Sequence, residues 1–277
     1  MNLRFLSIAI AASFFFFLFL FLVLPGGFLI FGAFTNKTGF TLEHWAEATK
    51  PIFFRALGNS VTLSLQSALE GAILGTIMAG ALWRSSPRTQ RFVGGLSGVA
   101  ANFAGVPLAF AFIVLLGSSG VFNFILKSFN LETIDIYRRQ NLHLIYLYFQ
   151  MPLMTVLMLP AFAAIQKDWL EAARGLGASP MMFWWRVGIP VLLPTLLGSF
   201  ALLFANAFGA YATVYALSQG SINLLPTQIG FQVSGQVGYD PGAASALATM
   251  MAGVLLVCLV LYRASRRWAA QMQGGAV

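Results

Sequence analysis

The feature that most constrains this chain is its succession of long apolar runs, each close to the length a helix needs to cross a bilayer, which is about 20 residues. By that measure the sequence predicts six transmembrane helices, over residues 5–31, 59–82, 92–117, 142–164, 190–217 and 242–261. Inside hydrocarbon every backbone N–H and C=O must find its partner within the protein, so such runs read as helices rather than open strands. With 58% hydrophobic and only 9% charged residues, the expectation is an all-α membrane protein. At the N-terminus, Arg4 and the small residues Ala9, Ala11 and Ala12 imitate a signal peptide. The apolar run nevertheless continues through FFFFLFLFLVL to Leu24, longer than the roughly 7 to 15 residues of a signal-peptide core. It is read as a retained first helix.

The formal net charge of +8 does not come as basic runs interleaved with aromatics, which argues against nucleic acid as a partner. Basic residues in a membrane protein report orientation instead. With the N-terminus inside, Arg4, Arg84, Arg88, Arg91, Lys167, Arg174, Arg186, Arg263, Arg266 and Arg267 fall inside. Lys37, Lys50, Arg55, Lys127, Arg138 and Arg139 fall outside, so the balance is ten against six. Six spans return the chain to its starting side, and the bias puts both termini in the cytoplasm.

Catalytic chemistry has little to build on. Cys258 is the only cysteine, so neither an intrachain disulfide nor a thiolate cluster can form. The chain contains no G-x-x-x-x-G-K and no G-x-S-x-G, and His44 and His143 lie in separate segments without carboxylates at ligand spacing. No catalytic, cofactor or metal residue is assigned, and an enzyme is not expected.

One polar stretch between the fourth and fifth runs stands out, QKDWLEAARGLGASPMMFWWRVGIPVLLP. Asp168 is placed to cap a short helix, and Gly177 to end it in a left-handed conformation. Ser179-Pro180 then reads as an N-cap followed by proline at the first helical position, opening a second helix to about residue 187. Pro190 and Pro194 begin the fifth span. Ala172 and Ala173 form a small-residue patch, edged by Glu171 and Arg174, that lets another backbone approach while the charges set register. The alternative is an amphipathic loop lying in the headgroups.

The anchors Glu171-Ala172-Ala173, Gly177 and Val187-Gly188-Ile189-Pro190 resemble the EAA loop of permease subunits in binding-protein-dependent ABC importers. The family's usual I-x-L-P appears here as V-G-I-P. The resemblance extends over about residues 59–261, including Asn59-Ser60, Pro107, LLGSSG and YRASRR. It implies a type I, methionine-importer-like permease fold in six transmembrane helices. Residues 1–58 would hold the first helix and an external loop, 59–262 the permease domain with its EAA loop at 168–190, and 263–277 a cytoplasmic tail. The implied partners are a cytoplasmic ATPase dimer carrying ATP and Mg, a second permease subunit that is a related chain rather than a second copy, and an external binding protein. Carried over by residue, Glu171 makes the polar contact with the ATPase, Ala172 and Ala173 the close packing, and Gly177 the turn. Arg174 flanks the patch and Pro190 closes the motif.

Within the apolar runs, Glu70 is the one deeply placed charge, and at a cost of at least about 2.5 kcal/mol it should face protein or water. It is either a pathway residue or a hydrogen-bonded link between helices. Gln66 lies one turn before it on the same face. Asn206, Tyr211 and Tyr215 form a sparse polar set in the fifth span, lining a pathway or joining helices. Gly71, Gly75 and Gly80 read as sites of close helix packing. Residues 218–240 form a short helix or gate, or a solvated connector.

The stretch FGAYATVYALSQGSINLLPTQIG is most similar to permeases of polyamine, opine and phosphonate importers, with iron(III), thiamine and sulfate importers as alternatives. A different class, an ion-coupled secondary transporter, would carry inverted repeats and more intramembrane ionisable groups.

Overall fold

Prolines and glycines decide where the apolar runs bend. The structure, a computed structural model, describes residues 3–218, 220–235 and 238–274, with side chains described for 11–166, 168–218, 220–235 and 238–264. The side chains of Arg4, Lys167, Arg266 and Arg267, counted above for orientation, therefore lie outside the described residues. Among these, six helical segments are long and apolar enough to cross a membrane: Ala11–Ala33, Pro51–Trp83, Val106–Ser128, Arg139–Ala163, Pro180–Phe208 and Pro241–Ala264.

The chain opens with α1 (Leu3–Leu18), a π-helical turn at Phe19–Val23 and α2 (Leu24–Ala33). Pro25 explains the turn. A proline has no N–H to give its helix, and just ahead of it the Leu24 N–H reaches back five residues to the Phe19 carbonyl. Two-residue strands β1 (Thr35–Asn36) and β2 (Gly39–Phe40) pair antiparallel and lead to α3 (Glu43–Ala48). The second span, α4 (Pro51–Trp83), starts eight residues before the expected Asn59, because proline is tolerated in the first turn and Arg55 and Asn59 fit within the helix.

The third span departs further. In place of one helix over 92–117 there are α5 (Pro87–Asn102) and α6 (Val106–Leu116), followed by α7 (Val121–Ser128). Gly105 sits between the first two at φ 77°, a region open to glycine, and Pro107 follows it in the first turn of α6. Ser86 caps α5, its hydroxyl accepting from the Thr89 N–H at 3.3 Å. The fourth span, α8 (Leu142–Ala163), follows the expected bounds. After it come α9 (Lys167–Gly175), α10 (Pro180–Phe183), a π-helical turn at Trp184–Gly188, α11 (Ile189–Phe208), α12 (Ala212–Ser218), α13 (Leu225–Ser234) and α14 (Pro241–Gly274). The fifth span thus runs over Pro180–Phe208 instead of 190–217.

The residues cluster into two compact units. The first comprises Met1–Leu57 and Leu224–Val254. There Phe34 packs against Trp45 at 5.4 Å between ring centroids. The Asp240 side chain accepts from the Ala243 N–H at 2.9 Å and so caps the start of α14. Gly242 leaves room for the His44 imidazole, which a Cβ would meet at 2.1 Å. The segment expected to be a short helix or a connector holds α13, ended by Gly235 at φ 72°.

The second unit comprises Gly58–Asn223 and Leu255–Val277. Its core is built on α8, which packs against α5 and α11, while α12 packs against α6. Tyr146, Phe149, Met154, Met158 and Leu203 are fully or almost fully buried. Gly71 and Gly75 of α4 bring its backbone against α8: a Cβ at 75 would lie 2.5 Å from the Met154 Cβ and 2.6 Å from the Met151 carbonyl oxygen. Thr155 Oγ1 donates to the Met151 carbonyl at 2.9 Å. The Gln150 amide donates to the Leu203 carbonyl at 2.8 Å and ties α8 to α11. Asn59 accepts from the Arg139 guanidinium and donates to the Asn223 carbonyl. It is a clamp inside α4, not the residue that opens the span.

Candidate functional site

The polar stretch after α8 folds as two helical pieces around a tight reversal. Gln166, not Asp168, is the N-cap of α9, and it makes no side-chain capping bond. Asp168 instead falls in the first turn, where its charge complements the helix N-terminus. The other end follows expectation. Gly177 adopts φ 79°, its N–H bonds the Arg174 carbonyl at 2.9 Å, and the Ala178 N–H bonds the Ala173 carbonyl at 2.9 Å. These two bonds form a Schellman closure, which satisfies carbonyls that a helix end leaves open. The Ser179 hydroxyl accepts from the Met182 N–H at 3.2 Å, with Pro180 at the first helical position. The following helix does not stop near 187. Gly188 stays helical, and the Ile189 N–H bonds the Trp184 carbonyl five residues back, so the chain passes through Pro190 without breaking.

Glu171, Ala172, Arg174 and Gly177 are exposed and Ala173 is half-buried. Several apolar side chains of the same loop also stand in the open, foremost Leu176 at 89% and Met181 at 68% exposure. Ile165, just before α9, and Phe183, at the end of α10, are buried. The loop therefore presents a charged and apolar outer face on a packed base.

The residues singled out above as candidates for a pathway separate into two groups. Asn206 and Tyr211 line an open cavity of about 380 Å³, with Ala101, Ala104, Gly105 and Thr213 among its other walls. Tyr215 joins them by stacking on Tyr211 at 5.3 Å. Two helix interruptions face each other there, Gly105 between α5 and α6 and Gly209 to Tyr211 between α11 and α12, and the Gly105 N–H donates to Thr213 Oγ1 at 2.8 Å. The Tyr146 hydroxyl donates to the Ala210 carbonyl at 3.3 Å. Among the described residues no lining side chain is charged.

Gln66 and Glu70 form the second group and do not line this cavity. The Gln66 amide donates to Glu70 Oε1 at 3.0 Å, while Oε2 is buried without a hydrogen-bond partner among the described residues. Sequence reasoning missed Gly105, Gly209 and Thr213. A signal was available: Asn102 and Asn206 each stand three residues before a glycine in an apolar run, in NFAG and NAFG. Among the described residues no group of three or more His, Cys, Asp or Glu could hold a metal ion.

The family described as "Binding-protein-dependent transport system inner membrane component" matches residues 71–271. A probable sulfate transport system permease protein of Helicosporidium sp. subsp. Simulium jonesii is 26% identical over 168 residues, 61% of this chain and 62% of that protein. The chain thus spans less than two thirds of that relative's length. The spermidine/putrescine transport system permease protein PotB of Salmonella typhimurium (strain SL1344) is 28% identical over 235 residues, 83% of this chain and 81% of that protein. A chain in the crystal structure of a bacterial ABC transporter involved in the import of the acidic polysaccharide alginate superposes with a TM-score of 0.76 at 20% identity, covering 95% of both chains. That likeness speaks to the fold.

Proposed function

The chain belongs to the family of binding-protein-dependent transport system inner membrane components, and on that premise we propose that it forms half of a solute pathway driven by a separate ATPase. The observation that carries the proposal is the 168–190 loop: a short helix closed at Gly177, with Glu171, Ala172 and Arg174 exposed beside Leu176 and Met181. Exposed apolar side chains among charges suit a docking surface. In this reading Glu171 contacts the ATPase, Ala172 and Ala173 pack closely against it, Gly177 sets the turn, and Arg174 and Pro190 frame the element. ATP and Mg reside on that ATPase dimer, and both termini of this chain face the cytoplasm with the loop. Closure of the ATPase pair moves the loop and rocks the helices between inward-open and outward-open states.

Asn206, Tyr211 and Tyr215 line this chain's half of the pathway, and a second permease subunit, a related chain rather than a second copy, supplies the other half. An external binding protein delivers the cargo. For the cargo we infer a small polar solute of polyamine or phosphonate type. The spermidine/putrescine relative supports the first, and the sulfate relative supports an oxyanion as the competing reading. Mass-spectrometric identification of the ligand carried by the cognate binding protein separates them.

Co-purification in detergent tests the whole reading. The chain should bring down an ATPase, and Glu171→Lys should weaken that capture about tenfold, since reversing a docked charge costs ~1.4 kcal/mol or more. Solute accumulation by the chain alone, in ATP-free vesicles under an ion gradient, would falsify the ATP-driven mechanism. A pathway role for Glu70, which lies outside the cavity lined by Asn206 and Tyr211, predicts that Glu70→Gln slows ATP-driven uptake of the identified ligand by about fivefold, the effect of ~1 kcal/mol on a rate-limiting step. Unchanged uptake would make Glu70 a link between helices and no more.

A further inference from the structure

Where α10 runs into α11, four aromatic rings meet. Trp184 lies 5.8 Å from Phe183, 6.2 Å from Trp83 at the end of α4 and 6.3 Å from Phe162 near the end of α8, all edge-on. Trp83 and Phe162 are themselves 6.1 Å apart. The Trp184 ring has a fitted seat, because a Cβ at Gly188 would lie 2.2 Å from it. Gly188 is the variable position of Val187-Gly188-Ile189-Pro190, and here it leaves space for that ring. Phe162 is held in turn by Gly80, whose Cβ would come within 3.1 Å of the ring tip. The same Trp184 opens the π-helical turn that ends at Gly188, the one place between Pro180 and Phe208 where the hydrogen-bond register shifts.

The loop is therefore joined to the spans twice. The covalent link passes through a π turn followed by Pro190, a combination that bends more readily than an unbroken helix. The packed link passes through Trp184 to the ends of α4 and α8, where edge-on rings resist sliding because each fixes its neighbours' orientation. We propose that Trp184, seated on Gly188, is the positioning residue that carries displacement of the 168–190 loop into α4 and α8, with the π turn as the hinge that lets α11 follow. The proposal rests on the coupling reading above and adds the route by which the push reaches the spans.

The test uses the full complex with its ATPase and second permease subunit in nanodiscs, with Cys258→Ser as background. Ala212→Cys in the cavity wall is the reporter, labelled with a charged maleimide. Labelling in the parent complex should differ between the nucleotide-free state and MgATP trapped with vanadate. Trp184→Ala and Gly188→Ala should retain the bound ATPase yet shrink that difference about fivefold or more, the scale of an ordinary coupling free energy. Trp184→Phe, which keeps a ring in the seat, should preserve most of it. A purely structural role would lower the yield of complex without altering the nucleotide response of what assembles. If Trp184→Ala does not assemble, Gly188→Ala decides, since the three atoms its Cβ would meet first all belong to the ring. A variant complex that responds to nucleotide as the parent does overturns the Trp184 route. A parent complex whose labelling ignores nucleotide overturns the coupling reading instead.

Discussion

Gly177→Val should reduce capture of the ATPase at least about tenfold while the chain still inserts and purifies. The residue sits at φ 79°, where an L side chain costs roughly 1–2 kcal/mol and a β-branched one is an outlier. Valine would pull the residue out of the left-handed region and break both closing bonds, Gly177 N–H to Arg174 and Ala178 N–H to Ala173. α9 would then leave the loop at a different angle, and Leu176 and Glu171 would no longer face outward together. Gly177→Asn, which tolerates the left-handed region, should keep most of the capture. Pull-down of the ATPase from detergent measures both, and a valine variant that binds as the parent does would remove the turn from the docking mechanism.

The second large effect concerns the spans themselves. Gly75→Leu should abolish the folded chain, and Gly75→Ala should already lower its melting temperature, because the new Cβ meets the Met154 Cβ at 2.5 Å and the Met151 carbonyl at 2.6 Å. One of those neighbours is backbone, so α4 and α8 must separate rather than a side chain turn away. Overpacking of this kind costs about 1–3 kcal/mol even where side chains can adjust. Gly95→Ala is the control, since among the described residues nothing beyond its chain neighbours and its own helix backbone lies within 4 Å of its Cβ position. The monodisperse fraction in size exclusion and the thermal melting curve report the outcome. An alanine variant at 75 as stable as the control would mean that the glycine is not what lets the two helices approach.

Much of this was legible from residues alone. Six apolar runs named six spans because transfer free energy is additive along a helix and needs no partner. Gly177 and Ser179-Pro180 could be placed because caps are local: each satisfies backbone groups within a few residues of itself. Gln66 and Glu70 fell together because a four-residue spacing is a contact on any helix. The third and fifth spans were drawn wrongly for a common reason. Apolarity does not register backbone dihedrals, so the interruptions at Gly105 and at Gly209 to Tyr211 passed unseen within runs that remain apolar throughout. Pro190 misled in the opposite direction, since its missing donor is absorbed by a π turn and the helix continues.

The sequence by itself determined the membrane class, the number of spans, and the turn at Gly177 with the Ser179-Pro180 cap that follows it, all of which follow from free energies summed over neighbouring residues. Only the tertiary structure decided that Gly105 would face Thr213 across two interrupted helices, that Gly75 would lie on the Met151 carbonyl, and that Trp184 would reach Trp83 and Phe162. Those pairings join residues far apart in the chain. Their energies come from shape and hydrogen-bond complementarity between helices, which exist only once the helices are packed.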